Sequence, residues 1–200
     1  MSVNRTISVL AVTLALVAGP VGASAAGKSG IEGPAASSIA EQTLSAVEVD
    51  NLMYMREEEK LARDVYLTMF DAWGLAVFDN IAASEQTHTD SVKDMIEKYR
   101  LADPVVDDSI GVFVNQELAT LYAKLIARGT RSSLEALQVG AYIEEVDMVD
   151  LAQAIEATDN ADIRQLYENL MSGSRNHLRA YVGQIENLGV VYEAQYLSQD

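Results

Sequence analysis

The chain has no cysteine among its 200 residues, which excludes disulfides, thiolate zinc sites, iron–sulfur clusters and cysteine nucleophiles. Positive charge is scarce as well: 14 Lys and Arg stand against 30 Asp and Glu, a formal net charge of -16. Nucleic acid and anionic membrane surfaces repel such a chain, so neither is an expected partner. There is no Gly-rich phosphate loop, no Ser-His-Asp order on strand-turn elements and no basic aromatic patch. Histidine is nearly absent too, with 2 in the whole chain, His88 and His177.

A hydrophobic content of 49% over this length suits one globular domain with a real core. At the start, Arg5, the apolar run from Ile7 to Ala18 and the small residues Ala23-Ser24-Ala25 read as a secretory signal peptide over residues 1–25. That run is short for a membrane span. Residues 26–46, rich in Gly, Ser and Ala, read as a flexible leader. The expected location after cleavage is therefore secreted, periplasmic or otherwise at the cell envelope, with no span in the mature chain.

From 47 to 188 the pattern is helical, and the class expected is all-α. A first long helix from Val47 to Trp73 carries the stripe Leu52, Met55, Glu59, Ala62, Tyr66, Met69 and Trp73, and Gly74 stops it. Its neighbours Glu57 and Glu58 fall off that stripe and read as a solvated face. A second helix, Phe78 to Tyr99, carries Phe78, Ile81, Glu85, His88, Val92, Met95 and Tyr99. Asp103-Pro104 breaks the chain, and a short helix covers Gln116 to Arg128. A third long helix, Ser132 to Ala157, turns Glu144 inward with Asp147 one turn on, and a fourth, Ala161 to Leu188, turns Ser174, His177 and Tyr181 inward. Residues 189–200 read as a loosely held tail.

Short turns make the first and second long helices one antiparallel hairpin and the third and fourth another. The connection between the hairpins, roughly thirty residues, is long enough to run the length of a bundle, which lets the second and third long helices lie parallel. That is a ferritin-like four-helix bundle with one long crossover holding an extra short helix. At about 1.5 Å per residue, Glu59, Glu85, His88, Glu144, Asp147 and His177 then fall in one layer near mid-bundle. Buried carboxylates need a cation or a metal, and Glu and His three apart on one helical face point the same way. Two readings stay open on spacing alone: a metal site, or a satisfied polar network that fixes helix register.

The segments Glu59-Lys60-Leu61-Ala62-Arg63-Asp64-Val65-Tyr66, Ser84-Glu85-Gln86-Thr87-His88, Gly140-Ala141-Tyr142-Ile143-Glu144-Glu145-Val146-Asp147 and Gly173-Ser174-Arg175-Asn176-His177-Leu178 resemble a ferritin-like domain family of unknown function, distantly related to rubrerythrins and bacterioferritins. The resemblance implies a bundle that binds metal, usually two irons, through one Glu on each of two helices and Glu-x-x-His on the others. By position it implies Glu59, Glu85 with His88, Glu144 and His177 as ligands. Ser174 stands where the fourth-helix Glu is expected, and Asp147 is the candidate replacement. Iron is the expected metal, as one or two ions, with manganese or zinc as substitutes. Tyr66, Tyr181, Arg63, Ser174, Arg175 and Asn176 are candidates for orienting the ligands. Iron oxidation or peroxide removal is the expected chemistry, with an external electron donor because no cysteine pair is present; an oligomer is compatible with it. The competing reading is a non-catalytic helical envelope module whose polar core is structural and whose role is protein–protein interaction.

Overall fold

In a computed structural model, which describes residues 43–197, the chain forms five helices and, among the described residues, no strand. They are α1 (Ala46–Trp73), α2 (Ala76–Lys98), α3 (Gln116–Gly129), α4 (Ser133–Ala157) and α5 (Ala161–Asn187). The expected signal peptide and nearly all of the expected leader lie outside the described residues. No described helix is long and apolar enough to cross a membrane.

Local chemistry accounts for the ends. Ser45 and Glu48 close a capping box, the Glu48 carboxylate accepting from Ser45 N at 2.8 Å while Ser45 Oγ accepts from Glu48 N at 3.3 Å. Gly74 ends α1 in the left-handed region, with φ 63°. Asn115 and Ser132 cap α3 and α4 through their side chains. Asn160 holds the cap position of α5 without a capping bond, and its side chain donates instead to Glu48 Oε1 at 2.7 Å. Thr158 donates to the same oxygen at 2.6 Å, which ties the start of α1 to the α4–α5 turn.

That tie fixes direction: α1 begins where α4 ends, so the two run antiparallel. Phe78 at the start of α2 packs on Tyr181 near the end of α5, and Lys98 at its end pairs with Asp162 at the start of α5. Hairpins α1–α2 and α4–α5 therefore stack with α2 and α4 parallel, and the long connection travels up the bundle between them. The core lies in two apolar clusters, one around Tyr66, Phe78 and Tyr181 and one around Leu52, Ile96 and Tyr167. The polar layer lies between the two.

Two expectations fail here. Every residue of α1 from Met55 to Tyr66 is buried, including Glu57 and Glu58, because the crossover covers the face that would otherwise meet water. Glu57 accepts from the backbone of Val114 at 2.6 Å and of Asn115 at 3.0 Å, holding the entry to α3. Lys60 bonds Asp64 and Ser109, Arg63 reaches Asp64 and Asp108, and Arg56 reaches Asp103, so the charges on this side balance in place. The tail is also held. Buried Glu145 accepts from the backbone of Gln195, Tyr196 and Leu197 and from the Tyr192 hydroxyl.

Candidate metal centre

Each long helix sends polar side chains to the middle layer, one turn apart where it sends two. Glu59 comes from α1, Glu85 and His88 from α2, Glu144 and Asp147 from α4, and Ser174 and His177 from α5. The carboxylates and His177 are buried, and His88 is nearly so. Glu85 stands between the two imidazoles: its Oε2 is 2.8 Å from His88 Nδ1 and its Oε1 is 2.7 Å from His177 Nδ1. The rings stack at 5.3 Å between centroids. Glu59 Oε2 lies 3.3 Å from His88 Nδ1, and Glu144 Oε2 lies 3.6 Å from His177 Nδ1.

Ligand atoms of Glu85, His88 and His177 all fall within 4.8 Å of one another, close enough to share one cation. The contact from His177 Nδ1 to Glu85 is short, yet it is not aligned as a hydrogen bond. Glu59 Oε1, Asp147 Oδ1 and Glu58 Oε2 are buried oxygens with no hydrogen-bond partner among the described residues. Beside them is a cavity of about 10 Å³, lined by Glu58, Glu59, Ala62, Glu85, Ile143, Glu144 and Asp147. Roughly that much space holds a single water-sized sphere. Orphaned carboxylate oxygens around so small a space fit a cation held by oxygen and imidazole ligands.

The electrostatics show how poorly this layer is balanced by protein charge alone. Burial pushes Glu59 up to about 8, although His88 works against it. Burial and the Glu85 charge raise Glu144 to about 7. Asp147 and Glu58 are also held well above the usual carboxylate range, by burial first and then by neighbouring carboxylates. Glu85 goes the other way: burial raises it, but the flanking imidazoles win and bring it to about 2. Against the same burial, the carboxylates carry His88 up to about 11 and His177 to about 10.

Of the predicted orienting residues, Tyr66 donates to Glu144 Oε1 at 2.6 Å and Ser174 donates to Asp147 Oδ2. Tyr181 packs its ring on Tyr66 and Phe78 and makes no hydrogen bond to a site carboxylate. Three do not reach the site. Arg63 serves the crossover, while Arg175 and Asn176 are exposed, Asn176 accepting from Arg179. With 100° per residue, turning Ser174 and His177 inward forces the two residues between them outward. Sequence reasoning missed Ser84, whose Oγ is 2.9 Å from His177 Nε2, and Glu58. Glu58 had a signal, since buried Leu61 and Val65 lie three and seven residues further along the same helical face.

Residues 48–200 match the family model described as uncharacterized protein domain DUF2202. The chain belongs to this family. An uncharacterized protein of Methanocaldococcus jannaschii, MJ0754, is 54% identical over 164 residues, covering 82% of this chain and 89% of the relative. The crystal structure of hypothetical protein MJ0754 from Methanococcus jannaschii superposes with a TM-score of 0.78 at 54% identity, covering 81% of this chain and 93% of that one. This chain and MJ0754 thus share one fold over most of their lengths.

Proposed function

We propose that this DUF2202 protein is a ferritin-like metal-binding protein whose mid-bundle layer takes one or two divalent cations, iron or manganese first and zinc as a substitute. One observation carries the reading: buried carboxylate oxygens of Glu59, Glu58 and Asp147, with no hydrogen-bond partner among the described residues, surround a cavity of about 10 Å³ beside a Glu-His-His group. Uncompensated carboxylates in a dry core are costly unless a cation joins them. The kinship to rubrerythrins and bacterioferritins is supported by the parallel α2 and α4 joined by one long crossover.

Glu59, Glu85, His88, Glu144, Asp147 and His177 would hold the metal, and a redox-active one would supply electron exchange with dioxygen or peroxide. Tyr66 holds Glu144 in orientation, Ser174 holds Asp147, and Ser84 sets the far nitrogen of His177. Apolar clusters lie above and below the layer and limit its contact with water. With no cysteine for an internal electron relay, turnover would draw on an external donor. The N-terminal pattern supports export to the cell envelope.

Elemental analysis of protein purified without chelators tests this. The expected result is about one or two metal ions per chain, with the ion at the histidine position lost in His88→Ala. A second reading draws on the ion-pair distances of Glu85 to both imidazoles: a metal-free polar core in a helical module that binds another protein. Absence of metal in the wild-type chain, with no change in stability on adding iron or manganese, selects that reading.

A further inference from the structure

The middle layer has two chemically different ends. At one end both imidazoles gather on Glu85, so nitrogen and oxygen donors stand together. At the other stand Glu58 and Asp147, where the cavity has no nitrogen-bearing side chain in its lining among the described residues. Both are buried, and each aims one oxygen, Glu58 Oε2 and Asp147 Oδ1, without a partner among the described residues. Their other oxygens are held: Tyr54 lies 3.4 Å from Glu58 Oε1, and Ser174 donates to Asp147 Oδ2. The cavity between the helices is lined by these two together with Glu59, Glu85 and Glu144, and by neither histidine. The cations of α1 turn away from it, since Arg56, Lys60 and Arg63 are taken up by Asp103, Asp64 and Asp108.

We infer that Glu58 and Asp147 form a second cation position that binds through oxygen alone, with Glu59 and Glu144 between it and the histidine position. This rests on the reading of the layer as a metal centre and divides it into two unlike halves. Glu58 supplies, from α1, the carboxylate that Ser174 on α5 does not. Oxygen-only sites suit hard divalent cations such as manganese, whereas a site with imidazole also holds iron and zinc well. The layer is thereby suited to a mixed pair of ions, with the harder one at the Glu58 end.

The test is a manganese titration of the metal-free full chain, followed by equilibrium dialysis and by the electron paramagnetic resonance signal of the ion. Wild type is expected to bind two ions, Glu58→Gln one, and His88→Ala one, with different spectra for the ion each variant retains. Asp147→Asn repeats the Glu58→Gln result by an independent route should that variant fold poorly, as judged by circular dichroism. Two ions retained in both Glu58→Gln and Asp147→Asn, at wild-type affinity, overturn the second position and leave the histidine site standing. A wild-type chain that binds a single ion, lost in His88→Ala, also overturns it alone. No manganese or iron bound by wild type overturns the metal centre itself.

Discussion

A methyl group on residue 173 would lie 2.5 Å from Cε1 and Nε2 of His88, so Gly173 on α5 is the floor on which the α2 imidazole rests. No real side-chain carbon approaches so closely, and the ring would have to move. Gly173→Ala should therefore leave the helices intact, the helix-propensity gain of roughly 1 kcal/mol offsetting part of an overpacking cost of about 1–3 kcal/mol. Metal affinity should fall about tenfold or more, as expected when a ligand loses its orientation. Calorimetric titration with ferrous or manganous ion checks this, and wild-type affinity in the variant would mean that His88 is not a ligand.

Among the described residues Glu85 alone pairs with both imidazoles, and removing its charge leaves His88 to Glu59 and His177 to the more distant Glu144. Glu85→Gln should destabilise the metal-free chain by about 3–5 kcal/mol, the range for breaking a buried pair. Urea denaturation of the apo protein measures it. A loss below about 1 kcal/mol, typical of exposed pairs, would show that water reaches this layer freely.

The pH dependence has a definite sign. His88 and His177 are raised to about 11 and about 10 in the folded chain, from 6.5. Their contribution to apo stability is complete below 6.5 and is lost as pH rises through their folded values. Metal needs those nitrogens free, and Glu59, at about 8, must lose its proton as well. Binding should therefore release protons at neutral pH and tighten as pH rises from 6 to 9. Titration calorimetry in buffers of differing ionisation enthalpy counts the protons. A pH-independent affinity would show that the imidazoles are not displaced from their carboxylates.

Glu145 is buried and holds the tail by three backbone amides and one hydroxyl. Glu145→Ala removes every acceptor at once and should cost about 2–3 kcal/mol, since bonds to a charged acceptor are the stronger kind. Limited proteolysis should then cut after Tyr192 or Tyr196 in the variant and spare the wild type. Equal cutting of both would mean that the tail leaves Glu145 without help.

Much of this molecule was readable one helix at a time. The long helices fall within two residues of the spans expected from periodicity, because caps and a 3.6-residue repeat are local properties of the backbone. Polar residues on apolar stripes were visible for the same reason, and the structure brings Glu59, Glu85, His88, Glu144, Asp147 and His177 into one layer. For Glu58 the signal was only the apolar Leu61 and Val65 on its own face, and Arg63, Arg175 and Asn176 were not assignable, because each sits at a stripe's edge where 100° of rotation decides between core and water.

By itself, then, the sequence determined helix positions, the all-α class, the pairing of short turns into hairpins and the inward polar positions of each helix, all of which depend on neighbours within a few residues. Only the tertiary structure decided that the crossover would bury the Glu57-Glu58 face of α1, that Glu145 would hold the tail, and that Glu58 would join Asp147 across the bundle. Those outcomes depend on which distant segment arrives at a given face. A helix's own periodicity carries no record of what will cover its second side.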